Sequence, residues 1–378
     1  VSAVLESALL PVYPPPRVRF VSGDGVWLVD DRGRSYLDFG AGIAVVGLGH
    51  RHPLPLAAAR TQLDRLWHAS NLFATEPAAV LAGLLSERFG GAQSFFCNSG
   101  AEANEAALKY ARRATGKAGV IALEGGFHGR TAGALAATGQ AAKRAAFEPL
   151  LSGVRFAAPN DIASLHGAAA DGVGLILLEP VLGEGGVIPL TQEFVAAAGE
   201  LAADLGALLC LDEVQTGVGR TGTFFCFEQF GVRPDLVTLA KGLANGLPIG
   251  CLLVADEAAG AFVPGDHGST FGGNPVACAA ACAVVDAIDE PLLASVRDTG
   301  AQLVAGIASL PGVLEARGRG LLVGAELDRP AQPVVDCALD GGLVCLTSGP
   351  NVLRLVPPLV IEPGHVDRAL EILAEVMR

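Results

Sequence analysis

Charge is scarce in this chain. Of 378 residues only 17% are Asp, Glu, Lys or Arg, against 51% hydrophobic, which points to a large core and a buried subunit interface. Lysine is scarcest, at four residues: Lys109, Lys117, Lys143 and Lys241. Long apolar runs are missing too. Phe39 to Gly49 and Pro275 to Val285, the longest uncharged stretches, are too short and too broken by small residues, glycine or proline to span a bilayer. No basic residue precedes Arg17, so the start lacks the positive region of a secretory signal. The eight cysteines contain no C-x-x-C, and Cys278 and Cys282, four apart in an Ala-rich helical stretch, read as core, so a reduced, cytoplasmic protein is expected. His50-x-His52 has no acid or cysteine cluster to complete a zinc set, and no metal is expected. A net charge of −13 argues against nucleic acid as a partner.

What is present is a long alternation. Residues 1–20 form a Pro-rich arm, and Val26 to Asp38 reads as a hairpin around Asp31-Arg32-Gly33. Short apolar runs then follow at 94–97, 120–123, 154–157, 173–178, 207–211, 236–239 and 251–254, with helical stretches such as 101–114 and 192–203 between most of them. The fold class this predicts is α/β, a mostly parallel sheet with helices on both faces, plus a smaller α+β unit. The smaller unit has strands near 322–327, 343–346 and 352–355 and a closing helix from Val366. The domain boundaries expected are 1–52 for the arm and hairpin (part of the small domain), 53–274 for the large cofactor-binding domain, and 275–378 for the small C-terminal domain.

Chemistry concentrates where apolar runs end. In open α/β sheets ligands sit beyond the carboxyl ends of the strands, and the run Ala207–Leu211 ends in Asp212-Glu213 while Leu236–Ala240 ends in Lys241. Of the four lysines, Lys109, Lys117 and Lys143 have solvated settings; Lys241 alone follows a buried run, where desolvation frees the amine as a nucleophile. A carboxylate about 4 Å from a protonated ring nitrogen contributes about 4 kcal/mol at an effective dielectric near 20, a roughly thousandfold preference for the protonated ring. Such a ring is the electron sink of pyridoxal phosphate, so Asp212 and Lys241 read as the two poles of a site for that cofactor. Asn98-Ser99-Gly100-Ala101-Glu102 starts a helix after a strand, an arrangement that can be an ordinary cap or an anion site. Phosphate is favoured there only because other elements point to the same ligand. Phe127 and Arg130, in another post-strand loop, can stack on a flat ring and grip a carboxylate, although each alone reads as core and surface respectively. Gly217-x-Gly219-x-x-Gly222 matches a dinucleotide fingerprint, but it leads into Thr223-Phe-Phe-Cys-Phe rather than a helix and its acids precede it, so it is set aside. Gly268 to Pro275 is a glycine-rich turn with two hydroxyls.

Read in order, NSGAEANEAALK, FHGRT, EPVLGEGG, LDEVQTGVGRTG, LAKG, GSTFGGNP and VLRLVPPL resemble the class III aminotransferases of pyridoxal-phosphate fold type I, most closely their acetylornithine aminotransferase branch, from about Pro11 to the end. The resemblance implies that Lys241 links covalently to the cofactor and shuttles the reaction's proton. It pairs Asp212 with the pyridine nitrogen and Gln215 with the phenolic oxygen, puts Val214 and Phe127 on the ring faces, and rests the phosphate on Ser99, Gly100, Ala101 and Thr270 of a neighbouring subunit. It therefore implies an obligate homodimer with shared sites. Arg130, with Ser269 nearby, would hold the substrate α-carboxylate, Tyr13 would line the distal pocket, and Glu184 and Arg354 would form a gate. With the gate closed the site accepts the donor's uncharged chain; with it open, Arg354 takes the second carboxylate of glutamate or 2-oxoglutarate. Leu182 stands where the family usually has Gln, and Ala244-Asn245 replace a glycine run. Ile43 stands where enzymes of unmodified ornithine tend to have Tyr, which tilts the donor toward N2-acetyl-L-ornithine. Rivals are succinylornithine, an acylated lysine, ornithine or 4-aminobutyrate in the same chemistry, an aminomutase, and a binding protein with a vestigial site; the intact Lys241 and Asp212 count against the last.

Overall fold

A computed structural model describes residues 8–378. Its centre is a seven-stranded sheet whose order across the sheet is Ala92–Cys97, Gly250–Ala255, Leu236–Leu239, Leu208–Asp212, Val173–Leu178, Gly119–Leu123 and Val154–Ala157. All neighbours pair in parallel except Gly250–Ala255, which runs against both of its partners. Every residue of Val173–Leu178, Leu236–Leu239 and Gly250–Ala255 is buried. That burial explains why these strands read as continuous apolar runs and not as alternating ones: helices cover both faces.

Local signals start and stop the helices. Gly100–Thr115 opens on Ser99, whose Oγ accepts the Glu102 N–H at 3.2 Å, and closes at left-handed Gly116. Gln192–Leu205 opens on Thr191 and closes at left-handed Gly206, where Lys117 Nζ donates to the Leu205 carbonyl. Among the described residues no helix is long and apolar enough to cross a membrane.

A second antiparallel sheet, Val313–Arg319, Leu322–Leu327, Val352–Leu355 and Leu346–Thr347, stands beside the first. The strand expected at 343–346 is divided: Leu343–Val344 pairs in parallel with Ser35–Asp38 of the N-terminal hairpin, and Leu346–Thr347 joins the C-terminal sheet. Buried Cys345 marks the break, so one stretch ties two sheets together. Val313–Arg319 escapes the sequence reading because VLEARGR carries three charges and no clean alternation. The helix Pro275–Ala287 packs along Pro53–Arg65 and Glu76–Phe89 and touches the turn after Lys241. Arg220, in the glycine-rich loop, ties that loop to the C-terminal part of the chain: its guanidinium donates to the carbonyls of Leu321 (3.0 Å) and Pro357 (2.5 Å). Burial lowers its pKa to about 9.

Candidate active site

Beyond the carboxyl ends of Leu208–Asp212 and Leu236–Leu239 lies a cavity of about 410 Å³. Its lining includes Ser99, Gly100, Ala101, Phe127, Arg130, Asp212, Val214, Gln215 and Lys241. Residues more than a hundred positions apart therefore share one space, because adjacent parallel strands end at the same edge of the sheet.

Asp212 and Glu213 are neighbours in sequence and do different work. Successive strand residues face opposite sides. Glu213 is turned inward, where its carboxylate accepts the backbone N–H groups of Cys226 (2.6 Å) and Phe227 (2.8 Å), and burial pushes its pKa up to about 8. Asp212 faces the cavity, only 3% exposed. Its Oδ2 lies 2.7 Å from both Asn104 Nδ2 and His128 Nδ1, and its Oδ1 accepts the Val214 N–H at 3.0 Å. Asn104 is fixed in turn by Thr238 Oγ1 (2.9 Å) and donates to the His128 carbonyl (2.7 Å). Burial disfavours the His128 imidazolium, but the hydrogen bond to Asp212 and that residue's charge outweigh it and raise the His128 pKa.

Lys241 opens a short turn in left-handed backbone (φ 42°), a strained conformation for a residue with a side chain. Desolvation lowers its pKa, and Arg354 adds to the effect. The amine is thus more readily neutral than a surface lysine. Asn245, at the end of that turn, accepts the Leu48 N–H (2.8 Å) and donates to the Gly49 carbonyl (3.0 Å). It clamps the Lys241 turn to the segment carrying Val45, another cavity-lining residue. The replacement of a glycine run by Ala244-Asn245 is therefore a structural tie.

The helix start at Gly100 presents free backbone N–H groups to the cavity. Among the described residues no protein acceptor takes the N–H of Gly100 or Ala101. A Cβ on Gly100 would lie 2.7 Å from Val214 Cγ1, so only glycine lets the helix end this close to the cavity wall. The Ser99 hydroxyl is taken up by its cap and by Glu102 Oε2 (3.2 Å).

Some predicted residues lie at the rim or away from it. Arg354, 4% exposed at its side chain, contacts Glu184 at 2.5 Å and also donates to the Gly183 carbonyl (2.9 Å) and Gln215 Oε1 (3.3 Å). Arg130 is exposed, its guanidinium 5.8 Å from the centre of the Phe127 ring. Ser269 reaches the site through Asn98, whose Nδ2 donates to its Oγ at 3.3 Å. Thr270 is exposed and lies outside the cavity lining of its own chain. Tyr13, 84% exposed, does not reach that cavity either, because its arm lies on the surface.

The sequence reading missed three groups here. Asn104 and His128 anchor Asp212. Glu179, buried and lining the cavity, accepts the N–H groups of Phe127 (2.7 Å) and Gly183 (3.2 Å), and burial raises its pKa to about 7. The signal for Glu179 was the one used for Asp212, an acid ending a buried apolar run. Lys143, read as solvated, is instead half-buried, with Nζ 4.9 Å from the centre of the Phe127 ring.

Together these groups offer a fixed anion, a desolvated amine, free helix N–H groups and two apolar walls, Phe127 and Val214. That set matches a flat cationic ring bearing a phosphate. Residues 12–377 match the family model described as Aminotransferase class-III. The acetylornithine aminotransferase of Mycolicibacterium smegmatis is 47% identical over 98% of this chain and 96% of its own. Among solved structures, the ornithine aminotransferase of Toxoplasma gondii superposes with a TM-score of 0.94 at 31% identity, covering 99% of this chain and 93% of that one. The N-acetylornithine aminotransferase of Stenotrophomonas maltophilia gives 0.86 at 36% identity, covering 100% and 98%.

Proposed function

The chain belongs to the class-III aminotransferases, and from that premise we propose that it is a pyridoxal-phosphate-dependent transaminase that moves the δ-amino group of N2-acetyl-L-ornithine to 2-oxoglutarate. The observation that carries this reading is the cavity floor, where a buried acid and a desolvated amine stand at the tips of adjacent parallel strands.

The residues fit the cofactor. The unpaired N–H groups of Gly100 and Ala101 suit its phosphate, Phe127 and Val214 its ring faces, Gln215 its phenolic oxygen and Asp212 its ring nitrogen. When bound, pyridoxal phosphate supplies an electron sink for the carbon that bears the substrate's amino group. The protein supplies the rest. Asp212, immobilised by Asn104, His128 and the Val214 N–H, keeps a proton on the ring nitrogen. Lys241, its amine freed by desolvation, removes the proton from the reacting carbon and returns it on the other side of the transfer. Arg130, exposed at the mouth, orients a substrate carboxylate.

Both half-reactions use the same site in turn, which is where Glu184 and Arg354 enter. Paired, they present no net charge to the uncharged acyl chain of the donor. Separated, they leave Arg354 to the second carboxylate of 2-oxoglutarate. The donor's identity rests on the name of the 47% identical relative and on aliphatic Ile43. Free ornithine is the second reading, favoured by the fold match to the Toxoplasma enzyme. A panel of amines tested with 2-oxoglutarate and scored by glutamate formed separates them: acetylornithine should lead ornithine and 4-aminobutyrate by at least about tenfold in kcat/KM, some 1.4 kcal/mol. Preference for either of the others, or no glutamate from any, rejects the assignment.

A second copy of the chain completes the site in this reading. Trp67, Leu72, Phe73 and Phe271 form an exposed apolar patch, with Leu72 87% exposed. Asn71 Nδ2 ties this segment to the carbonyls of Ser269 (2.8 Å) and Gly272 (3.0 Å), on either side of Thr270. The homodimer would cover the patch and deliver Thr270 to the neighbour's phosphate. Sedimentation of the purified protein as a monomer at micromolar concentration would remove this part.

A further inference from the structure

Lys143 lies against Phe127, a residue of the cavity wall, and its position poses a problem. It is half-buried, and among the described residues no hydrogen-bond acceptor or carboxylate meets its ammonium. Its contact is the face of Phe127, 4.9 Å from the ring centre. Burial lowers its pKa; the nearby charge of Glu184 opposes that most strongly, while Arg130 and Arg354 reinforce it. A cation held partly out of water without an anion costs stability, so its retention needs a reason.

Glu184 supplies one. Its carboxylate is 2.5 Å from Arg354, and Arg354 has two further acceptors to keep it in place. The backbone around Glu184 is pinned. Gly183 N–H donates to Glu179 Oε2 (3.2 Å), Gly186 N–H donates to Ser348 Oγ (2.7 Å), and a Cβ at Gly185 would lie 2.5 Å from the Gly125 carbonyl oxygen. With the backbone on both sides held in this way, the Glu184 side chain is the part left to move. Left without a counter-charge in this setting, 24% exposed, the carboxylate would oppose the release. Of the cations around it, Arg354 is to be occupied by substrate and Lys241 sits at the reacting centre. Lys143 is uncommitted.

We propose that Lys143 is the second partner of Glu184, the cation to which this carboxylate passes when a dicarboxylate substrate takes Arg354. This rests on the gate described above and assigns what the gate lacked: a place for Glu184 to go. Lys143 is then a positioning residue that acts through Glu184 and lowers the cost of the dicarboxylate-binding state.

The test is a cycle on the cofactor-loaded protein with Lys143→Met, Glu184→Gln and the double variant, plus Lys143→Arg. For each, the donor and 2-oxoglutarate half-reactions are followed separately, and binding of the unreactive dicarboxylate glutarate is measured by calorimetry. Glu184→Gln should shift the ratio of dicarboxylate to donor kcat/KM by about fivefold or more. Lys143→Met should raise the 2-oxoglutarate KM and the glutarate Kd about fivefold, change the donor half-reaction less than about twofold, and be rescued by Lys143→Arg. In the Glu184→Gln background the same replacement should have less than about a twofold effect. A Lys143→Met protein with wild-type glutarate affinity overturns the proposal and leaves the gate standing. An undiminished effect in the Glu184→Gln background also overturns it, because Lys143 would then touch the substrate directly. A Glu184→Gln protein with an unchanged ratio brings down the gate and this proposal together.

Discussion

The floor of the cavity and its rim are built on opposite principles. At the floor, Asp212 is held by three donors, one of which, Asn104, is itself held by Thr238; Asp212, Asn104, His128 and Thr238 are all buried, so the anion is fixed in place. At the rim, Arg130 and Lys143 have an aromatic face as their contact, and the buried Arg354 faces Glu184, the carboxylate it would leave in the proposed gate. A preorganised floor suits a step common to every substrate, since nothing has to reorganise at the moment of reaction. A rim of uncommitted or exchangeable charges suits a site that takes unlike substrates in turn.

The contrast can be broken by substitutions, and the floor should give the largest effects. Lys241→Ala should abolish the visible absorption that follows addition of pyridoxal phosphate and lower kcat about 10⁴-fold or more, read by spectrophotometry and glutamate formation. A variant that keeps turning over would show the amine to be dispensable. Asp212→Asn should lower kcat about 10³-fold, from the roughly 4 kcal/mol assigned to its charge at the ring nitrogen. Steady-state rates near wild type would mean that the anion has no electronic role. At the rim the signature should move from kcat to KM: Arg354→Ala should raise the KM for 2-oxoglutarate about 10- to 100-fold while changing the donor's far less. Equal changes for both substrates would erase the distinction between floor and rim.

The smallest effect concerns Glu213, the acid beside Asp212 that serves the fold. Its folded-state pKa of about 8 lies above the ordinary value near 4.5, so its contribution to stability is fully present below the ordinary value and is lost as pH rises through 8. The Tm advantage of the wild type over Glu213→Gln should therefore shrink by a few degrees between pH 5 and 8.5, measured by calorimetry. A constant gap would mean that Glu213 is already ionised in the folded protein at the lower pH.

Strand ends were the legible part of the molecule. Asp212 and Lys241 each end a short apolar run, and such runs are visible because strands covered on both faces need no polar alternation. The same rule would have found Glu179, at the end of Val173–Leu178. Asn104 left a fainter trace. It falls on the apolar stripe formed by Ala103, Ala107, Leu108 and Ala111, a polar residue on a helix face otherwise committed to the core. Lys143 left none, since AAKRAA reads as an ordinary solvated turn until the fold brings Phe127 beneath it. Tyr13 and Thr270 both lie outside the cavity lining of their own chain, and the expectation for Thr270 concerned the neighbouring subunit's site.

By itself the sequence determined the alternation of strands and helices, the helix start at Ser99, and the identity of the groups at the strand tips. These depend on residues within a few positions of one another, on periodicity, capping and the length of apolar runs. Tertiary structure alone decided that Asn104, His128 and Asp212 form one network, that Glu184 meets Arg354, and that Lys143 lies over Phe127. Those facts depend on side chains tens to hundreds of positions apart meeting at distances of 2.5 to 4.9 Å. Hydrogen bonds and ion pairs weaken steeply beyond such distances, so only the packed sheet could bring these groups within range.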